Sequence, residues 1–326
     1  MVSNNSDAIP KRFLGRTDIR ISPIGLGTWQ FSEGQGLHRF TWSKLNTQVT
    51  NDVVKAALDG GINWFDTASS YGDGRSERGL ARALQAAGKV RGDVVIADKW
   101  WPVCKTARSI ESTIDDRLRN VEPYGIDLYQ IHWPFSFSSI ESQMDAMAGQ
   151  VESGRIRAVG VSNFSAAQMR RAHDALARRG IPLASNQVRY NLLARKVETR
   201  GVLDAAVELG ITIICYMPLE MGLLTGKFHA EPAGLRSRPA FRRQVMKRML
   251  KRSMPVIEVL GQIASDRGAT VAQVALNWLV NSRGQTVVAI PGATSPQQTE
   301  HNAAAMKLAL TPDEMERIDR VSRQFR

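Results

Sequence analysis

Cysteine is nearly absent from this chain. The two that occur, Cys104 and Cys215, are far apart and in no metal-like spacing. This excludes a disulfide scaffold and a zinc module, gives no reason to expect a bound metal, and points to a reducing, cytoplasmic compartment. Long apolar runs are missing too. No window approaches 18 consecutive apolar residues, so no membrane-spanning helix is expected. The opening MVSNNSDAIPKRF has no apolar stretch, and a secretory signal is not expected either. Acidic residues are in deficit, with 31 against 43 Lys and Arg, a net charge of +12. None falls between Pro232 and Ile257, a segment that holds Arg236, Arg238, Arg242, Arg243, Lys247, Arg248, Lys251 and Arg252. Such a cluster suits a phosphorylated ligand or a solvated helix face. Nucleic acid is not expected as a partner, because the segment lacks interleaved aromatics and no nucleic-acid fold signature accompanies it.

What the chain does have is a repeating alternation. Apolar runs of strand character lie at Ile24–Trp29, Ile62–Thr67, Val94–Lys99, Asp127–His132, Ile156–Ser162, Ala184–Val188, Ile211–Met217 and Thr286–Ile290. Helical patterns fill the gaps. Ala107, Ile110, Ile114, Leu118 and Val121 make one apolar helix face. Thr50, Ser76 and Ser165 are placed to cap helices ending near Leu58, Gly88 and Gly180, and Thr311-Pro312-Asp313-Glu314 reads as a capping box. Eight strand–helix units predict an α/β fold of the (β/α)8 TIM-barrel type. The open doubly wound sheet is the rival. It requires a glycine-rich turn opening a helix after an early strand, and Gly25-Leu26-Gly27 lacks the third glycine. We expect one domain over 1–326, with a short hairpin at residues 12–21 before the first barrel strand and a long loop, 219–254, after the seventh.

Barrel chemistry sits at the C-terminal ends of strands. There the sequence places Asp66, then Tyr71 five residues on, Lys99 and His132. Taken singly, each has an ordinary structural explanation as a cap, an ion pair or core packing. Their coincidence on three successive strand ends is the signal. A lysine ammonium beside a tyrosine favours the phenolate, an aspartate balances the lysine, and a histidine orients an oxygen, which together make a tyrosine that can protonate a developing alkoxide. Five aromatics, Trp29, Trp100, Trp101, Trp133 and Phe135, lie just past strand ends and predict an apolar substrate pocket, with Trp29, Trp100 and Trp133 as its leading candidates. Met246, Met249 and Met254 read as helix-face packing.

GINWFDTASSYG at 61–72, the Lys99 strand, DLYQIHWP at 127–134, RIRAVGVSNFS at 155–165 and Asn186-Gln187 closely resemble the aldo-keto reductases, and the resemblance covers residues 12–325. It implies reduction of an aldehyde or ketone to an alcohol with NADP(H), Tyr71 acting as the general acid. Lys99 and Asp66 tune it, and His132 orients the carbonyl. By the same resemblance Thr28, Trp29 and Asp66 line the nicotinamide end, Ser162, Asn163 and Gln187 bind the carboxamide, and Tyr216 stacks on the ring. Pro218, Leu219, Gly222, Leu224, Gly226, Lys227 and Arg236 belong to the loop over the pyrophosphate. Gly292, Thr294, Gln298 and Asn302 hold the adenosine end. Five residues depart from the common pattern: Gln298 stands where an arginine is frequent, His301 where a glutamate is, Glu220-Met221 where an arginine or small residue precedes Gly222, and Asp98 where a small or hydroxylated residue precedes the lysine. The alternatives to a reductase are a Schiff-base barrel using Lys99, which leaves Ser162, Asn163, Gln187 and Tyr216 without a role, and a redox-sensing, regulatory binding subunit of the same fold with little turnover.

Overall fold

A computed structural model describes residues 9–32, 45–231 and 240–326, with backbone alone at 240–243, 245 and 246. Strands β1 (Arg12–Phe13) and β2 (Arg20–Ile21) pair antiparallel as the expected hairpin. The barrel strands follow in chain order: β3 (Leu26–Gly27), β4 (Trp64–Asp66), β5 (Val95–Trp100), β6 (Ile126–Ile131), β7 (Ile156–Ser162), β8 (Leu183–Arg189), β9 (Thr212–Tyr216) and β10 (Val287–Ala289). Each pairs in parallel with its sequence neighbour. Parallel bridges from Ile24 to Ala289 and from Gly27 to Gly292 join the first strand to the last, so the sheet closes. Closure is what separates this fold from the doubly wound alternative.

Period-two alternation divides the side chains into two cores. Trp64, Val95, Ala97, Leu128, Ala158, Ile214 and Val288 fill the barrel interior, and Leu14, Ile19 and Ile21 of the hairpin pack into the same cluster. Phe65, Ile96, Trp100, Tyr129 and Ile131 point outward and pack with the surrounding helices. The hairpin therefore plugs one end of the barrel, and the strand C-termini open at the other. Gly15 makes the plug possible: it has φ +56°, and a Cβ there would lie 2.5 Å from the Ala184 carbonyl.

Ser165 and Thr311 cap their helices as expected, and Ser165, like Thr311, does so with a full capping box. Two other caps differ. Asn46 caps the helix Thr47–Asp59, and Thr50 lies inside it. Ser76 lies inside the helix Arg75–Ala86, where its hydroxyl donates to the Thr28 carbonyl at 2.8 Å and meets the Thr28 and Thr67 hydroxyls at 2.9 Å. Both residues look like caps locally, but Asn46 takes the role from Thr50, and the Ser76 hydroxyl is engaged by tertiary hydrogen bonds while Gly74 starts its helix without a side-chain cap. The 219–254 segment is also not one loop. Short helical turns cover Glu220–Thr225 and Lys227–Ala230, and a helix runs over Ala240–Asp266. Val256, Leu260 and Ile263 bury its inner face, while Lys247, Arg248, Lys251 and Arg252 lie exposed. The basic run is thus largely the solvated side of an amphipathic helix. Met249 packs against the core but Met254 is exposed, and the Met246 side chain lies outside the described residues.

Candidate active site

Three strand ends converge on one buried carboxylate. Asp66 closes β4, and Lys99 reaches it from β5 with Nζ 2.5 Å from Oδ1. Lys99 also donates to the Thr67 carbonyl at 2.7 Å. The second Asp66 oxygen accepts from the Gln187 amide at 2.8 Å and the Gln130 amide at 3.2 Å. Lys99, Gln130 and Asp66 are buried, so this is a desolvated ion pair with its spare lone pairs satisfied. Gln130 was not anticipated, although parity marks it: it is two residues after the inward Leu128.

Tyr71 sits above this pair, in the loop between β4 and the next helix, with the Lys99 ammonium 5.1 Å from its ring centre. Burial pushes the Tyr71 hydroxyl above its ordinary value and the nearby ammonium only partly offsets this, so it is protonated at neutral pH. Burial pulls Lys99 down, but the Asp66 carboxylate it donates to outweighs this and holds the ammonium charged. His132 follows β6, its ring edge-on to Tyr71 with centroids 5.8 Å apart. The structure brings all four predicted residues together.

The barrel mouth opens into a cavity of roughly 780 Å³, within the range of small-molecule and cofactor sites. Its floor holds Asp66, Tyr71 and His132. Along one wall Ser162 Oγ donates to the Gln187 carbonyl at 2.9 Å, Asn163 Nδ2 reaches Ser162 Oγ at 3.0 Å, and the Tyr216 hydroxyl donates to Asn163 Oδ1 at 2.9 Å. Thr28, Trp29, Pro218, Leu219, Gly222 and Lys227 line it, and so do Gly292, Thr294, Gln298, His301 and Asn302 at the far end. A side chain at Gly292 would run into the Gln30 amide, so the glycine leaves room for Gln30 beside bare backbone in the wall there. A row of amide and hydroxyl groups at one end, a flanking aromatic ring, glycine-lined backbone in the middle and one lysine suit the amide, ring and phosphates of a nicotinamide dinucleotide.

Some predicted positions fall elsewhere. Trp100 is fully buried outside the barrel wall, its indole donating to Ser109 Oγ at 3.0 Å. Strand parity explains this, because Val95, Ala97 and Lys99 face inward, which turns Trp100 outward. Trp101 takes its place in the cavity lining, with Trp29 and Trp133. Phe135 stacks on Trp133 but is exposed beyond the cavity. Leu224 is buried in the outer core, and Gly226 holds a left-handed turn (φ +76°) before the next helical turn; neither lines the cavity. Arg236 and Arg238 lie outside the described residues. Among the described residues no helix is long and apolar enough to cross a membrane, and no group of side chains is arranged to hold a metal ion.

The chain resembles known proteins along nearly its whole length. An uncharacterized oxidoreductase of Mycobacterium tuberculosis (strain H37Rv) is 39% identical over 310 residues, covering 94% of this chain and 91% of that one. The chloroplastic pyridoxal reductase of Arabidopsis thaliana is 33% identical over 94% of this chain and 84% of its own. The structure of an aldo/keto reductase from Klebsiella pneumoniae in complex with NADP and acetate superposes with a TM-score of 0.73 at 26% identity, covering 96% of both chains. The sequence profile of the aldo/keto reductase family matches residues 23–323, and with the closed barrel and the Asp66–Tyr71–Lys99–His132 cluster at its mouth, the chain belongs to the aldo/keto reductase family.

Proposed function

We propose that this enzyme reduces the carbonyl group of an aldehyde or ketone to an alcohol, using NADPH, with Tyr71 as the proton donor. The observation that carries this reading is the sealed Lys99–Asp66 pair beneath a tyrosine that opens onto the cavity. When bound, NADPH supplies the hydride. Tyr71 gives its hydroxyl proton to the carbonyl oxygen as negative charge develops there, and Lys99 stabilises the phenolate that remains. Asp66 holds the ammonium in place, and the two amides on its other oxygen keep it oriented. His132 bounds the same floor and directs the carbonyl oxygen toward Tyr71. Ser162, Asn163 and Gln187 present hydrogen-bonding groups to the nicotinamide carboxamide, and Tyr216 offers its ring face. Because the Gln187 amide N–H is committed to Asp66, its carbonyl remains to accept from the cofactor. The same residue then touches both the cofactor and the charge pair.

The substrate end is lined by Trp29, Trp101, Trp133 and His132, and among the described residues it carries no lysine or arginine. A flat, uncharged aromatic carbonyl suits this surface better than a phosphorylated aliphatic aldehyde, whose phosphate wants a guanidinium or ammonium. The Arabidopsis relative is named for an aromatic aldehyde. The test follows NADPH absorbance with benzaldehyde derivatives and phosphorylated aldehydes side by side. Faster turnover of the aromatic set supports the reading. Tight NADPH binding with no turnover of any carbonyl would favour the regulatory, redox-sensing alternative.

A further inference from the structure

Behind the charge pair lies a second group of buried acids. Asp98 precedes Lys99 on β5, and parity turns it outward, toward the helices Arg75–Ala86 and Arg108–Asn120. Glu77 meets it from the first turn of the former helix. Both are fully enclosed. Glu77 Oε2 accepts from Arg117 at 3.1 Å and Asn120 at 3.2 Å, and Asp98 Oδ1 accepts the Lys99 backbone N–H at 2.7 Å. The remaining oxygens, Glu77 Oε1 and Asp98 Oδ2, find no donor among the described residues, yet the two carboxyls lie within hydrogen-bonding reach of each other. Two carboxylates cannot approach in a dry layer unless a proton lies between them.

We propose that Glu77 and Asp98 share one proton, and that this bond is a positioning element for Tyr71 and Lys99. The proposal rests on the catalytic reading above for its effect on turnover. Asp98 is the chain neighbour of Lys99. Glu77 is the neighbour of Ser76, whose backbone N–H donates to the Tyr71 carbonyl at 3.2 Å and whose hydroxyl holds Thr28. The shared proton therefore ties the strand that carries Lys99 to the helix start that holds the Tyr71 loop.

The groups facing the pair are Arg117 and Asn120 on the helix Arg108–Asn120 and Tyr129 beside Asp98 on β6, with Lys99 on the opposite face of β5. With one proton shared, the acids carry a single charge matched by Arg117. Loss of that proton adds an uncompensated charge. Burial and Asp98 push the Glu77 carboxyl up to about 9, and burial also raises Asp98. In the unfolded chain a glutamate ionises near pH 4.3. The folded state holds a proton that the unfolded state releases, so this contribution is fully present at low pH, wanes as pH rises, and is exhausted near pH 9.

The test combines denaturant unfolding between pH 5.5 and 9.5 with turnover of NADPH and benzaldehyde by the full chain. In the wild type this one proton lowers the folding constant by up to about tenfold per pH unit between pH 6 and 9. Asp98→Asn supplies an amide N–H to Glu77 without a shared proton and should cut that fall to about twofold or less. At pH 7, Asp98→Ala should lower kcat about tenfold or more with the KM for NADPH within about twofold, and Asp98→Asn should restore most of the loss. It should also move the alkaline loss of kcat to higher pH. A wild-type pH slope in Asp98→Asn, or wild-type kcat in Asp98→Ala, overturns the proposal. If Asp98→Ala does not fold, Glu77→Gln must give the same flattening, and its failure to do so is equally decisive. The unfolding slope is measured without substrate and again in Tyr71→Phe, so it stands even if Tyr71 proves not to be the proton donor.

Discussion

Lys99 and Asp66 face each other at 2.5 Å with both side chains closed to solvent, and two amides fill the remaining Asp66 oxygen. A pair this well enclosed is expensive to break and easy to keep. It places a fixed positive charge beneath Tyr71, and the predictions below follow from that arrangement and from the cavity above it.

Tyr71→Phe should lower kcat by about 10²–10⁴-fold, the usual range for loss of a general acid. The affinity for NADPH should change little, since the ring remains. Single-turnover kinetics with a saturating aromatic aldehyde measures the first quantity and fluorescence titration the second. Retention of more than about a tenth of the wild-type rate would show that the proton comes from elsewhere.

Lys99→Met should also lose turnover, and it should destabilise the fold where Tyr71→Phe does not. It leaves Asp66 as a buried carboxylate with only amide partners, a loss of about 3–5 kcal/mol. Thermal unfolding of the two variants side by side checks this. Equal melting temperatures would contradict the buried-pair description.

NADPH should bind more tightly than NADH, with Lys227 supplying much of the difference. Apart from His132 on the floor, Lys227 and His301 are the basic side chains that line the cavity among the described residues, and the Gln298 carbonyl is already taken by the Thr294 N–H at 2.9 Å. Lys227→Ala should therefore weaken NADPH more than NADH. NADPH affinity should also fall more steeply with salt, because a partly exposed charge is screened over about 8–10 Å near physiological ionic strength. Parallel titrations at two salt concentrations decide it, and equal or tighter NADH binding would refute the preference.

The two adjacent tryptophans should behave oppositely. Trp101→Ala removes part of the cavity wall and should raise KM for an aromatic aldehyde about tenfold with little effect on stability. Trp100→Ala opens a void in the outer core and should cost about 3–5 kcal/mol while leaving KM nearly unchanged. Denaturant unfolding and steady-state kinetics on both variants separate the two roles. A KM effect from Trp100 larger than that from Trp101 would reverse the assignment.

Much of this protein is decided locally along the chain. The eight strand–helix units, the hairpin before them, the capping boxes at Ser165 and Thr311, and the strand-end positions of Asp66, Lys99 and His132 all follow from side-chain periodicity and capping chemistry, which act over a few residues. The orientation of Trp100 follows from the same period-two rule, counted from Lys99. Other features depend on what meets what across the barrel. Ser76 reads as a cap until Thr28 and Thr67 claim its hydroxyl. Residues 219–254 read as one long loop with a basic helix face in it, until the apolar residues that follow, from Val256 onward, find a core that extends that helix to Asp266. Gln130 and Gln187 become part of the charge site only because β6 and β8 curve around to face β4, and Glu77 meets Asp98 only because a helix lies across β5. A hydrogen bond between groups up to 121 residues apart leaves no local signature, since neither partner's neighbours in sequence reveal the other. Closure of the sheet supplies those encounters, and with them the desolvation that gathers an aspartate, a lysine and a tyrosine into the proposed reaction centre.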